Sequence, residues 1–509
     1  MPSTPPTTIV PQPIHDVARE LGLAEEHVEP YGRGKAKVSL AALGRPAAGA
    51  SRVVLVSAIN PTPAGEGKTT VSIGLGMGLR RLGKRAVLCL REPSLGPVFG
   101  VKGGGTGGGR ATLVPADDIN LHFTGDLHAI TSAHNLLAAM VDNACHFGGA
   151  LGDKAPLDAR QIAWGRAMDM NDRALRNVVV GLGRKVDGVP RQDRFDITAA
   201  SEVMAILALA TGPEDLEARL GRVVVGTSTR GEPVTAADVG AAGAMTALLR
   251  DALQPNLVQT AEGGPAIVHA GPFGNVAHGC SSVLGTRLGM DYADYVVTEA
   301  GFGFDLGGEK FLDIKCREMG IWPRVVVLVV TLRALKMHGG APVKSAGEPD
   351  ATALEAGLDH LDRHLETARG FGLPAIVALN VFPNDTADEI ATLVSFLRAR
   401  GVAFARCDGF ARGGEGALDL AAAVAEIADA TDASPPRPRF AYALDEPLEA
   451  KVRAIATKVY GADGVAFTGA ARKDLERIEK AGFGASAVCM AKTQLSLTDD
   501  PTIHGRPRG

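Results

Sequence analysis

Lys68 and Thr69 close the run Asn60-Pro-Thr-Pro-Ala-Gly-Glu-Gly-Lys-Thr69, whose residue types suit phosphate chemistry. The apolar run Arg52–Ile59 directly before it reads as a buried strand. A strand that delivers Gly-x-Gly-Lys-Thr to a helix start aims free backbone N–H groups and the positive helix end at one spot. The Lys68 ammonium can reach terminal phosphates there, and the Thr69 hydroxyl can hold Mg2+. Thr62, Pro63, Ala64, Gly65, Glu66, Gly67, Lys68 and Thr69 are therefore the candidate nucleotide-binding residues. Thr62 stands where the phosphate-loop signature has its first Gly. The competing reading is an ordinary Gly-rich turn, against which the flanking strand and helix argue.

Val71, Leu75, Leu79 and Leu82 fall on one face of a helix that stops near Gly83. Gly74, Gly76 and Gly78 each cost about 1 kcal/mol there relative to Ala, which predicts a backbone packed close against the sheet. A second strand, Arg85–Leu90, completes a strand–helix–strand unit over 52–91, with both strands ending on one edge of a parallel sheet. Arg91 and Glu92 thereby face the phosphate loop. Arg91 either grips a carboxylate or phosphate bidentately or pairs with Glu92 on the surface.

Further along, Lys102–Arg110 holds six glycines in seven residues, a backbone nest or flap over an anion if it is not a linker. His122, Asp126 and His128 imitate metal spacing without a further ligand nearby; Asp126 stands as a candidate partner for Mg2+ or for a protonated group. The segment Val268–Ser282 reads as another site loop, its histidines serving either the site or the fold. Phe382 and Phe410 each follow the carboxyl end of an expected strand (374–381 and 402–408). If those strands are parallel neighbours, both rings stand over one crevice and can hold a flat heterocycle by stacking; otherwise each ring belongs to the core.

Strand-like runs recur at 265–270, 294–299 and 325–331, mostly continuous and β-branched, as strands covered on both faces should be. The character from about 130 to 260 is helical, as in Asp196–Ala210. A second strand–helix alternation begins at Pro374, where Thr386 and Glu389 form a capping box and Gly401 a stop. The expected fold is α/β: a P-loop NTPase-like, mostly parallel sheet with a largely helical insertion and a second, smaller α/β domain. The expected boundaries are a Pro-rich tail at 1–14, the sheet at 15–130 plus 260–370, the insertion at 131–259 and the second unit at 371–509.

Composition narrows the function. The 509 residues carry 53 basic and 57 acidic side chains, a net charge of −4, with no basic patch interleaved with aromatics, so nucleic-acid binding has no electrostatic support. No apolar run reaches the roughly 18 residues of a membrane span, and the N-terminus lacks the pattern of a signal peptide. The six cysteines are scattered; buried thiols in a reducing cytoplasm fit them better than a zinc site or disulfide framework.

The blocks Asn60–Thr69, Leu90–Pro97, Asp118–Asp126, Ala270–Gly279 and Arg333–Gly340, in this order, resemble the formate–tetrahydrofolate ligase family from about residue 10 to the last residue. The resemblance implies ATP-dependent formylation of N10 of tetrahydrofolate through formyl phosphate, with formate, ATP and tetrahydrofolate as substrates. It implies that Lys68 and its loop hold the phosphates and that Arg91 orients formate and formyl phosphate. Glu92 and Asp126 then sit near the reacting groups, Phe302 contacts the nucleotide, and Phe382 and Phe410 sandwich the pterin. Mg2+, a monovalent cation whose ligands the sequence does not place, a cytoplasmic setting and a homo-oligomer, by family a homotetramer, belong to the same implication. Two departures stand out. Phe410 takes the place of a usual Trp, and family members continue several dozen residues beyond the position of Gly509, which implies a folate-binding unit cut short. The rivals are another P-loop enzyme that activates a carboxylate, and a nucleotide-binding remnant without turnover.

Overall fold

In a computed structural model of the protein, residues 10–44, 51–63, 65–100, 104–148 and 151–508 are described. Their main sheet has twelve strands, numbered in chain order: β1 Val28–Pro30, β2 Ala36–Val38, β3 Arg52–Ala58, β4 Ala86–Leu90, β5 Gly107–Gly108, β6 Ala111–Val114, β7 Asn256–Thr260, β8 Pro265–Val268, β9 Tyr295–Glu299, β10 Val325–Val330, β11 Ala375–Asn380 and β12 Ala403–Cys407. The spatial order is β1-β2-β7-β8-β4-β9-β3-β10-β11-β12, with β6 beside β7 and β5 beside β6. From β8 to β12 every neighbouring pair is parallel, so seven carboxyl ends share one edge.

The run Val-Val-Val-Leu-Val-Val of β10 shows why the sheet forms. It is buried throughout, as β-branched residues are when both faces of a parallel sheet are covered. Alternate residues divide between the two sides: Val53 and Leu55 join one hydrophobic cluster, Val54 and Val56 the other. Helix α1 (Lys68–Arg81) packs in the second cluster and ends with Arg80 and Arg81 at its negative pole. Its three glycines have different neighbours. A Cβ on Gly76 would press on Leu88 of β4, as close packing on the sheet requires, whereas Gly74 and Gly78 lie against Ala417 beside the later helix Leu418–Ala430.

Three expectations are corrected. First, β3 and β4 are not neighbours, because β9 lies between them and pairs with both; Arg91 is thus one strand further from the loop than the local unit suggested. Second, β11 and β12 do not found a second unit. They extend the main sheet directly from β10, and no strand follows Cys407 among the described residues. Third, the insertion is less purely helical than expected. After α2 (Asp126–Phe147) come short helices together with strands such as Leu157–Ile162 and Val224–Ser228, and Asp196–Ala210 opens as a strand (Phe195–Ile197) before the helix Glu202–Leu209. This segment collects a hydrophobic cluster of its own around Ile130, Trp164, Leu207 and Met245.

Helices α3 (Leu332–His338) and α4 (Ala351–Gly370) cross at two glycines. A Cβ on Gly357 would overlap the carbonyl oxygen of Leu335, and one on Gly339 that of Ala353. Gly370 in the same helix has open space at its Cβ position. Gly357→Ala is therefore expected to destabilise the protein by about 2 kcal/mol or more. Gly370→Ala should leave stability unchanged or raise it by up to about 1 kcal/mol. Parallel thermal melts of the two variants check the difference; equal midpoints would contradict the close crossing.

Candidate active site

The loop after β3 is tied at its start, middle and end. Asn60 is fully buried. Its carbonyl accepts from His338 Nε2 at 2.8 Å, its Oδ1 from His364 Nε2 at 3.1 Å, and its Nδ2 donates to Asp305 Oδ2 at 3.2 Å and Gln494 O at 3.1 Å. Burial lowers both histidines to about 4, so they are neutral braces. Within the loop, Glu66 Oε1 accepts from the Thr62 N–H at 2.8 Å and the Thr62 hydroxyl at 2.9 Å. Thr62 in place of a Gly therefore supplies an internal strut. Gly65 and Gly67 have φ of 72° and 71°, conformations that favour glycine. Asn380, the last residue of β11, donates to Glu66 O at 2.9 Å from outside the loop.

At the helix end, Lys68 Nζ donates to Phe302 O at 3.0 Å, and Thr69 Oγ1 to Glu299 Oε2 at 3.0 Å. Glu299 ends β9, the strand beside β3. Phe302 holds φ at 57°, strained for a non-glycine residue, and presents that carbonyl to Lys68. The dense protein around Lys68, with the Arg91 charge nearby, lowers its ammonium to about 8 despite the attraction of Glu299. Arg91 follows β4 and donates to Pro272 O at 3.1 Å; a Cβ on Gly301 would touch its guanidinium at 3.2 Å. Lys68, Arg91 and Phe302 therefore converge at the carboxyl ends of β3, β4 and β9. Ala64 lies outside the described residues, as does Lys102.

Glu92 and Asp126 form a second layer. Glu92 is buried with both carboxylate oxygens lacking a hydrogen bond, and burial together with the nearby Asp126 charge raises its carboxyl well above the usual range. Asp126, which opens α2, accepts from Lys37 Nζ at 2.6 Å and Asn256 Nδ2 at 2.7 Å. It is bound to β2 and β7 rather than to the loop, and no group of three or more metal-ligating residues surrounds it or any other place among the described residues. In the Val268–Ser282 segment both ring nitrogens of His269 are engaged, by Ser282 Oγ and Ala252 O, a structural role.

Phe382 and Phe410 follow β11 and β12, which are parallel neighbours. The rings do not touch each other. Phe382 carries the Arg333 guanidinium 4.8 Å from its ring centroid, and Phe410 is exposed. The glycine run explains how Phe410 is seated. Its described part includes the β5–β6 hairpin, at whose turn the Arg110 N–H donates to Phe410 O at 2.8 Å. A Cβ on Gly109 would collide with that carbonyl. A cavity of about 390 Å3 lined by Val381, Asp408, Arg406 and Arg412 opens beside the two strand ends.

The sequence profile described as formate–tetrahydrofolate ligase matches residues 7–509. Three curated proteins of that name are similar over nearly the whole chain. The one from Myxococcus xanthus (strain DK1622) is 65% identical over 494 residues, 97% of this chain and 89% of the relative. Those from Paracoccus denitrificans (strain Pd 1222) and Symbiobacterium thermophilum are 55% and 53% identical, each covering 98% of this chain and 88% of the relative. The chain belongs to the formate–tetrahydrofolate ligase family.

Three further residues support this ligase-family site. Glu299, Asn380 and Lys37 hold Thr69, the loop and Asp126 respectively. Glu299 had a readable signal, a carboxylate at the end of an apolar strand; Asn380 and Lys37 had none. Among the described residues no helix is long and apolar enough to cross a membrane.

Lys68 gives the site a pH signature. The ammonium is charged below about pH 8 and loses its proton above it, so affinity for a nucleotide's phosphates should be flat below that pH. Above it, affinity should fall by up to roughly tenfold per pH unit. Calorimetric titration of MgADP from pH 7 to about 9.5 checks this, with Lys68→Arg as the comparison because a guanidinium keeps its charge. The same fall in Lys68→Arg would contradict the assignment.

Proposed function

We infer that this chain, as a member of its family, joins formate to N10 of tetrahydrofolate at the expense of ATP, at the edge where β3, β4, β9, β11 and β12 end. The observation that carries this reading is the convergence of Lys68, Arg91 and the Phe302 carbonyl, with two aromatic residues on adjoining strand ends. Formate is a resonance-stabilised anion with no acceptable leaving group. One of its oxygens attacks the γ-phosphorus of ATP, the bond to the ADP oxygen breaks, and formyl phosphate and ADP result. N10 then attacks the formyl carbon, the C–O bond to phosphate breaks, and N10 gives up its proton.

Each residue has a part in these two steps. The N–H groups at the start of α1 and the Lys68 ammonium bind the phosphates. Arg91 orients formate and then formyl phosphate, with a planar fork suited to both. The oxygens of Thr69 and Glu299 are the hard donors that suit Mg2+, which when bound neutralises charge on the phosphate oxygens. Phe302 stands beside the nucleotide. Glu92 and Asp126 are the neighbouring carboxyls of the reading, Asp126 neutralised by Lys37. Phe382 and Phe410, which follow the adjoining parallel strands β11 and β12, stack on the pterin. Homo-oligomeric assembly and a cytoplasmic setting belong to the same reading.

The test is formation of 10-formyltetrahydrofolate by the purified chain with MgATP, formate and tetrahydrofolate. Omitting any one substrate should abolish product. Lys68→Ala should lower turnover by about 100-fold or more, and Arg91→Ser should do the same while leaving MgADP affinity within about threefold. Absence of product from the unaltered protein would overturn the reading. Loss of nucleotide affinity in Arg91→Ser would move Arg91 to the nucleotide.

A further inference from the structure

Arg333 is the second residue of α3, just after β10, and is half-buried. Nothing in the two chemical steps above uses it. Its Nη2 donates to Gly65 O, in the phosphate loop, at 3.3 Å. Its guanidinium carbon lies 4.8 Å from the centroid of the Phe382 ring. A planar guanidinium can do both things at once, because its face stacks on a ring while its edge donates in the plane. A lysine, a compact point charge, does one or the other.

Electrostatics agrees with these two contacts. Burial raises the carboxyls of Glu66 and Asp385, and the Arg333 charge is among the influences that oppose the rise at both. Asp385 in turn accepts from the Phe382 N–H at 2.8 Å and so shapes the turn that carries the ring. Asn380, two residues before Phe382, makes a parallel link to Glu66 O. Two bridges therefore run from the phosphate loop to the strand end that bears Phe382.

The chemistry gives such a bridge a purpose. Formyl transfer needs N10 within about 3–3.5 Å of the formyl carbon, and a displacement of about 1 Å costs about 100-fold in rate. One reactant is held by the phosphate loop and the other by Phe382. We propose that Arg333 is a positioning residue that fixes the Phe382 ring relative to the phosphate loop, and through it the folate relative to formyl phosphate. This rests on the reading of Phe382 as part of the folate platform.

Two assays separate the steps. Positional isotope exchange in β,γ-bridge-labelled ATP, with formate and no folate, reports phosphoryl transfer alone; steady-state formation of 10-formyltetrahydrofolate reports both steps. Arg333→Met should leave the exchange rate within about twofold, raise KM for tetrahydrofolate about three- to fivefold and lower kcat about tenfold. Arg333→Lys, which keeps the charge and the fold, should recover only part of the loss. In a Phe382→Ala background, Arg333→Met should change KM for tetrahydrofolate by less than about twofold, the non-additivity of two residues acting through one contact.

Exchange lost in step with overall turnover would make Arg333 a nucleotide residue and overturn the proposal. So would equal effects of Arg333→Met in both backgrounds. If Phe382→Ala raises KM for tetrahydrofolate and Arg333→Met does not, the proposal alone falls. If Phe382→Ala leaves that KM unchanged, the folate platform itself falls, and the proposal with it.

Discussion

A loop that is to bind phosphate must keep its own N–H groups free, so its shape has to be held by everything else around it. Here that constraint is met with buried polar bonds. Asn60 is fixed through four hydrogen bonds to His338, His364, Asp305 and Gln494. Glu66 turns back on Thr62, Asn380 grips Glu66 from the next-but-one strand, and Lys68 and Thr69 lean on Phe302 and Glu299. Of these partners, His338 and His364 belong to the α3–α4 pair, and Glu299 and Asn380 close the parallel strands β9 and β11. The arrangement is preorganised: the donors need not be gathered when charge develops on a transferring phosphoryl group.

The same packing decides the electrostatics. Lys68 and Arg91 are brought together in poorly hydrated surroundings, which depresses the lysine and makes an arriving anion welcome. The acidic groups close to them are occupied: Glu66 by Thr62, Glu299 by Thr69. Asp126 is neutralised by the fully buried Lys37, so the deeper Glu92–Asp126 layer adds less negative charge than its composition suggests. A site built this way favours arriving anions, as the proposed activation of formate requires.

What the sequence made legible was local. The phosphate loop, β3, α1, β4 and the capped helix after Thr386 were all readable because each depends on spacing within about twenty residues. The pairing of strands was not. A continuous apolar strand looks the same whether it neighbours β4 or β9, so the insertion of β9 into the first unit left no trace in the local pattern. For the same reason β11 and β12 passed for the start of a new sheet when they extend the old one. Most strands of the insertion have three residues, too short to show a period, and the longer Leu157–Ile162 and Val224–Ser228 carry no unbroken apolar–polar alternation. Lys68, Thr69 and Arg91 stand out by motif, whereas Asn380, Lys37 and Arg333 make their contacts with distant parts of the chain. Phe382 and Phe410 were visible as strand-end aromatics, but only the sheet order makes them neighbours.

The roles proposed for Lys68 and Arg91 require that formate be activated by phosphorylation at this loop. The most direct measurement is the fate of oxygen from 18O-labelled formate during turnover with MgATP and tetrahydrofolate, read by mass spectrometry of the phosphate product. The expected result is one labelled oxygen in the inorganic phosphate for each 10-formyltetrahydrofolate formed. Phosphate free of label, with product still accumulating, would contradict a formyl phosphate intermediate and with it the roles given to Lys68 and Arg91.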